Sequence, residues 1–160
     1  MGIPVAYAHL GYLSENGIST GYSLGTAYRN YVRAVEEGYT KARGSIIRID
    51  EKAILLESGI GRRSTTAFND RWFQDIRDRA ERGEPEYQYL LGLSFEEGML
   101  SPQSYDDAVS WYLKSIESGY PRAMTRLGRL YYSGIGVEKS YGHALYYLDM
   151  AYSKGDPDAA

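Results

Sequence analysis

The sequence contains no cysteine, which excludes disulfides and thiolate metal sites. Its histidines, His9 and His143, have neither a histidine nor a carboxylate four residues further on, as a helical zinc site would need. The formal net charge is only -3, which argues against the basic face that nucleic-acid binding requires. No apolar run is long enough to span a bilayer, and residues 1–10 lack a basic segment followed by an apolar core. We therefore expect no cofactor, no metal, no nucleic-acid partner and no membrane insertion.

A repeat of 36 residues is the main feature that the sequence does contain. A fixed period of this size is typical of stacked helical repeats, in which each unit buries its apolar face against its neighbours. The pattern favours a surface that binds over a pocket that reacts. The residues that recur 36 positions later are Gly83, Pro85, Leu91, Gly92, Gly98, Tyr105 and Ala108, which return as Gly119, Pro121, Leu127, Gly128, Gly134, Tyr141 and Ala144.

The repeat divides the sequence into four units and the start of a fifth. We expect residues 1–160 to form a single repeat domain. The second unit is irregular because it exceeds the period by nine residues. The short fifth unit indicates either a segment of a longer array or an exposed end that pairs with another molecule, so self-association through the array ends is one expected contact. The units cover residues 2–37, 38–82, 83–118, 119–154 and 155–160.

Each unit is expected to form two helices joined by a short turn. A proline fits the first helical turn, a glycine ends the first helix, and a tyrosine opens the second. A glycine on the first helix and an alanine on the second lie where the helices approach closely, because a larger side chain would separate the backbones. In the third and fourth units these residues are Pro85 and Pro121, Gly98 and Gly134, Tyr105 and Tyr141, Gly92 and Gly128, and Ala108 and Ala144.

In the second unit both sides of this close contact are large. Ile47 occupies the glycine position and Trp72 the alanine position. We therefore expect this helix pair to be splayed or shifted, with a first helix that continues to Gly59, further than in the other units. A register with Ala53 as the small residue is a less favoured alternative, because it places Lys52 in the core.

Together these residues resemble the Sel-one-like repeat family, a relative of the tetratricopeptide repeats. The resemblance departs from the family pattern at Tyr87, at Leu24 and throughout the second unit. It implies an all-α fold, a right-handed α-solenoid (α/α superhelix) of about four helix-turn-helix repeats, whose first helices line a concave groove, and a role as a protein-binding adaptor. The residues that carry it best are Ala123, Leu127, Gly128, Tyr131, Gly134, Gly136, Val137, Tyr141 and Ala144.

If the first helices line the groove, the residues three, six, ten, thirteen and fourteen places after each opening glycine point into it. Tyrosines there would form an aromatic trough suited to a partner, although they could equally occupy ordinary core positions of the repeat. From these positions we select as partner-binding candidates Tyr12, Glu15, Arg48, Glu86, Tyr89, Leu93, Glu96, Arg122, Arg129 and Tyr132.

One helix of the fourth unit carries a basic stripe that faces acidic residues one repeat earlier. The stripe could bind carboxylates of a partner through bidentate hydrogen bonds. The alternative, which we favour, is a set of inter-repeat ion pairs on a solvated face. The stripe is Arg122, Arg126 and Arg129, and the acidic residues are Glu86, Glu96 and Glu97.

Three functions are considered, in decreasing order of how well the sequence supports them. The first is a non-enzymatic scaffold or adaptor that binds a partner protein or peptide in its groove. The second is a bacterial immunity-type inhibitor that neutralises one dedicated toxin or effector enzyme. The third is a cell-wall-active hydrolase, for which no cluster of acids and bases is evident in the sequence. The sequence does not determine the compartment: the cytoplasm is the default, and the sequence does not exclude a mature periplasmic form.

Overall fold

Helices make up the regular structure of the part of the protein that is described. The computed structural model describes residues 3–18, 24–60, 67–98 and 102–160, except for the side chains of 56–60, 67–70 and 72. Over these ranges no helix is both long and apolar enough to cross a bilayer. The helices are α1 (Ile3–Glu15), α2 (Leu24–Glu36), α3 (Arg43–Ile60), α4 (Ala67–Glu81), α5 (Pro85–Glu97), α6 (Tyr105–Glu117), α7 (Pro121–Ser133) and α8 (Tyr141–Ser153), with 3-10 turns at Thr40–Ala42 and Pro157–Ala159. The predicted all-α fold of helical pairs is confirmed.

The protein divides into two compact units, Met1–Leu56 and Glu57–Ala160. In the first unit, α1 packs against α2. The core is formed by one face of α2 and by the residues that follow it, including Tyr31, Ala42, Ile46 and Ile49. Residues at the start of the second repeat therefore share a core with α2, the second helix of the first repeat.

The second compact unit contains two complete helix pairs, α5 with α6 and α7 with α8. Helix α4 packs against α5, and α6 packs against α7, so the pairs follow one another in sequence order. The division into the four predicted repeat units, with their bounds, remains a prediction.

The helix ends lie where the sequence predicts them. Pro85 and Pro121 occupy the first turns of α5 and α7, where the missing N–H has no helical partner to lose. Gly98 and Gly134 follow these helices with φ of 69° and 72°, in the left-handed region that a side chain disfavours.

Close approach of the paired helices explains the regular spacing of the glycines inside α5 and α7. A Cβ atom on Gly92 would lie 2.8 Å from the ring of Tyr112 and 3.1 Å from the carbonyl oxygen of Ala108. A Cβ atom on Gly128 would lie 2.8 Å from Leu148 Cγ and 3.2 Å from the carbonyl oxygen of Ala144. The 2.8 Å distances are shorter than real contacts of a Cβ atom, and those to the carbonyl oxygens are tighter than most, which confirms the predicted close approach of glycine and alanine.

Helix α3 is longer than the others, with 18 residues against 13 in α5, and it ends at Ile60, close to the predicted Gly59. Its face toward the core is buried at Ile46 and Ile49. The predicted splaying of the second helix pair stays a prediction, because the side chain of Trp72 and residues 61–66 lie outside the described residues.

Candidate functional site

A buried carboxylate at the end of α1 connects three elements of the first compact unit. Glu15 is only 4% exposed. Arg48 of α3 donates to both of its oxygens, from Nε to Oε1 at 2.9 Å and from Nη2 to Oε2 at 2.8 Å. Lys52 Nζ donates to Oε1 at 3.0 Å, and the Tyr31 hydroxyl of α2 donates to Oε2 at 3.1 Å. The carboxylate therefore ties α1 to α2 and to α3.

These contacts control the protonation of the group. The hydrogen bonds from Arg48 lower the pKa of Glu15 to about 2, against an opposing effect of burial, and the bond from Lys52 adds to the lowering. Burial raises the pKa of Tyr31, and the neighbouring negative charge of Glu15 raises it further. At neutral pH the pair is therefore a carboxylate accepting from a neutral phenol.

The second compact unit contains the same arrangement. The Tyr112 hydroxyl of α6 donates to Glu96 Oε2 at the end of α5, and Arg126 Nη1 of α7 donates to Glu96 Oε1 at 3.3 Å. Tyr112 and Glu96 stand 81 positions after Tyr31 and Glu15.

Each tyrosine of this arrangement also packs on a glycine of the first helix. A Cβ on Gly11 would lie 2.9 Å from the ring of Tyr31, as Gly92 approaches Tyr112. We call this recurring set the glycine–tyrosine–glutamate motif. The sequence contains a signal for this motif that was not used: a glycine, a glutamate and a tyrosine recur together 81 positions later.

An open pocket of about 300 Å³ lies beside the motif of the first compact unit; we call it the first-unit pocket. Helix α1 contributes Val5, Ala8 and Tyr12, while Lys41 and Arg48 come from the following repeat. All five stand at positions predicted to line the groove. Tyr12 is 51% exposed, so the pocket presents an aromatic side chain next to two cations.

Two predicted site residues of α5 are buried instead of open to a groove. Tyr89 is 2% exposed and Leu93 is fully buried. The ring of Tyr89 lies 6.0 Å from that of Tyr112 and 5.4 Å from that of Tyr120, and burial raises the pKa of Tyr89 to about 12. The sequence contained the reason, because residues 87–95 carry no charge, and a helix that is apolar all round is buried.

The other predicted site residues of the second compact unit lie at different depths. Glu86 and Arg122 are partly buried, and Glu96 is engaged in the motif. Arg129 is exposed and donates from Nη2 to the carbonyl oxygen of Asp158 at 2.9 Å. Tyr132 is 62% exposed, with its ring 5.5 Å from that of Tyr141.

Of the basic stripe on α7, Arg126 forms inter-repeat ion pairs of the kind that the favoured interpretation predicted. Arg126 Nη1 lies 3.3 Å from Glu96 Oε1 and 3.8 Å from Glu97 Oε1. Their side chains are between 15% and 28% exposed, so these pairs are shielded from solvent more than ordinary surface pairs.

The two histidines have separate surroundings. His9 lines the first-unit pocket, while the ring of His143 stacks on Tyr131 with centroids 4.9 Å apart. Among the described residues, no group of three or more His, Cys, Asp or Glu side chains could hold a metal ion.

The Sel1 repeat model matches residues 4–39, 85–120 and 121–156, which is more than half of the protein. These matches coincide with the helix pairs α1–α2, α5–α6 and α7–α8. The chain belongs to the Sel1 repeat family.

Several known proteins are similar to this chain. The ERAD-associated E3 ubiquitin-protein ligase component HRD3A of Arabidopsis thaliana is 33% identical over 75 residues, 46% of this chain and 11% of that protein. The crystal structure of a Sel1 repeat protein from Oxalobacter formigenes is 31% identical with a TM-score of 0.52, over 99% of this chain and 43% of that one. The protective antigen c5321 of uropathogenic Escherichia coli, which displays an SLR fold, is 24% identical with a TM-score of 0.53, over 97% of this chain and 39% of that one; it shows the fold alone. The chain thus spans less than half the length of each.

Proposed function

We propose that this Sel1 repeat protein is a non-enzymatic interaction scaffold that holds a segment of a partner protein in the first-unit pocket. Sel1 repeat proteins are generally scaffolds for protein interactions. The observation that carries the proposal is the composition of the pocket wall. Helix positions of two successive repeats, at Val5, Ala8, Tyr12, Lys41 and Arg48, contribute to one concave surface.

The wall has the properties of a protein-binding site. Tyr12 offers a large ring with few rotatable bonds, which makes its immobilisation on binding inexpensive in entropy. Arg48 is held by two hydrogen bonds to Glu15, so its guanidinium is oriented before a partner arrives. A volume of about 300 Å³ is at the lower end for ligand sites, which suits side chains of a bound segment.

The proposal is tested with Tyr12→Ala. The protein that crosslinks to the wild type in its own cells is purified, and its dissociation constant is measured by calorimetry. Removing an exposed interface tyrosine is expected to weaken binding about tenfold or more. The melting temperature should stay unchanged, because half of the side chain is already exposed. Tyr146→Ala, which removes a tyrosine 59% exposed on α8, is the matched control. Equal affinities for wild type and Tyr12→Ala would refute the proposal.

A second contact surface on the other compact unit is supported only by Arg129 and Tyr132, both of which are exposed. Tyr89 and Leu93 are not proposed as part of this surface because they are buried. The immunity-type inhibitor and the hydrolase are not proposed, because no observation on the described residues favours either of them.

Self-association is supported by one face of α8. Tyr141, Leu145 and Tyr152 lie along this face and are 62%, 70% and 62% exposed. Their counterparts 36 positions earlier on α6 are all partly buried, and α6 is the helix against which α7 packs. We propose that the α8 face packs against the first helix of a repeat in a second copy of the protein, as α6 packs against α7 within one copy.

A further inference from the structure

We infer that the first-unit pocket recognises a carboxylate that adjoins an apolar side chain on the bound segment. This inference rests on the proposed function and specifies the chemistry of the partner. The charge of the lining supports it: Lys41 and Arg48 are the cations among the lining residues, and none of those residues is acidic. The protein as a whole has a net charge of -3, so this cationic lining runs against the average composition.

The nearest carboxylate does not neutralise the lining. Glu15 is shared by Arg48 and Lys52, so one negative charge already serves two cations. Lys41 is exposed and forms no ion pair within the described residues. Lys41 therefore adds to the lining a cation that no described ion pair neutralises, which favours the approach of an anion.

The polar groups of the lining include hydrogen-bond donors that suit a carboxylate ligand. Arg48 donates through Nε and Nη2 to Glu15 and Ser45, and 47% of its side chain is still exposed, so a cation held in place is accessible to a ligand. Ser45 Oγ, which accepts from Arg48 Nη2 at 3.3 Å, adds a hydroxyl to the lining. Lys41 adds an ammonium group. Donors of this kind bind a carboxylate through charge-assisted hydrogen bonds.

Apart from His9 and the Tyr31 hydroxyl, the rest of the wall is apolar or aromatic. Val5, Ala8 and Ala42 line the pocket beside the rings of Tyr12 and Tyr39. A ligand that carries only a carboxylate would leave this surface in contact with water, whereas an aliphatic or aromatic neighbour would cover it. The geometry therefore fits an acidic residue, or the free carboxyl end of a polypeptide, next to an apolar side chain.

The experiment selects ligands from a random library of displayed peptides, with one arm presenting free C-termini and the other internal sequences. We expect selected peptides to contain a carboxylate next to an apolar residue; the arm that supplies them identifies its source. Dissociation constants are then measured for a selected peptide and for its matched Asp→Asn, Glu→Gln or C-terminal amide analogue. Loss of one charge-assisted pair is expected to weaken binding about tenfold.

The variants act on the protein side. Lys41→Gln should weaken the acidic peptide about tenfold and Lys41→Glu further, because an exposed cation of the lining is replaced. Arg33→Gln removes an exposed cation of α2 that does not line the pocket, and should leave affinity within about twofold. Raising the salt concentration should weaken the acidic peptide more than its neutral analogue.

The outcomes separate the two proposals. Peptides without carboxylates, or neutral analogues that bind as well as acidic ones, would overturn the carboxylate inference; if such peptides still lose affinity with Tyr12→Ala, the scaffold proposal stands. If the wild type selects no peptide and Tyr12→Ala leaves the partner's affinity unchanged, both proposals are refuted.

Discussion

Replacing Glu15 by glutamine should destabilise the first compact unit in a manner that depends on pH. The substitution keeps the shape of the side chain and removes the negative charge that Arg48 and Lys52 share. Because Glu15 is 4% exposed, water cannot fully replace these partners. The remaining side chains would face one another as two cations with no carboxylate between them.

The magnitude follows from the pKa of the carboxyl group. Its value falls from 4.5 to about 2 on folding, which corresponds to roughly 3 kcal/mol at 1.36 kcal/mol per unit. The partner side chains are 47% and 43% exposed, so solvent screening reduces this to about 2 kcal/mol. Since the folded pKa is the lower one, the stabilisation is complete above pH 4.5 and is lost as the pH falls toward 2.

The assay is urea denaturation followed by circular dichroism at several pH values between 7 and 2.5. We expect Glu15→Gln to be about 2 kcal/mol less stable than wild type at pH 7, and the difference to shrink as the pH falls below 4.5. Other carboxylates titrate in both proteins and cancel in the comparison. Glu36→Gln, an exposed carboxylate of α2, is the control and should show no such difference. A difference near zero at pH 7, or one that stays constant down to pH 2.5, would refute the reasoning.

Three further substitutions test the packing, the helix ends and the α8 face. Gly92→Ala places a Cβ atom 2.8 Å from the Tyr112 ring and should lower the free energy of unfolding by about 1–3 kcal/mol, measured by thermal denaturation. The control Gly142→Ala, whose added Cβ atom would lie 4.0 Å from its nearest neighbour, should raise it by up to about 1 kcal/mol. Equal effects of the two substitutions would contradict the close approach. Ser104→Ala removes an acceptor at the start of α6 and should cost about 1 kcal/mol, measured by urea denaturation; an unchanged midpoint would argue against this cap. Leu145→Asp should lower the molar mass by light scattering at high concentration, since it puts a charge on the proposed self-association face; a monomeric wild type would contradict that proposal.

The helices were predictable from sequence because their ends depend on local chemistry. Proline at the first turn and glycine after the last one restrict the backbone directly, and both recur with the period at Pro121 and Gly134. The close approach at Gly128 was predictable for a similar reason, because a small residue at a fixed place in each pair indicates limited space.

Exposure along the first helices could not be read from the period alone. The same repeat position holds Tyr12, which is exposed, and Leu93, which is fully buried. The difference arises from neighbours, since α5 packs against both α4 and α6 and its own middle carries no charged residue. The contacts of Glu15 were also missed as a set, because its partners Tyr31 and Arg48 are distant in sequence and meet only after folding.

The glycine–tyrosine–glutamate motif restricts which repeat can follow which. In both copies of the motif the glutamate at the end of a first helix pairs with an arginine of the repeat that follows, as Glu15 does with Arg48 and Glu96 with Arg126. Exchanging modules, or deleting one, would leave such a carboxylate facing an unsuitable neighbour. Charge thus limits which repeat can follow a unit that carries this motif.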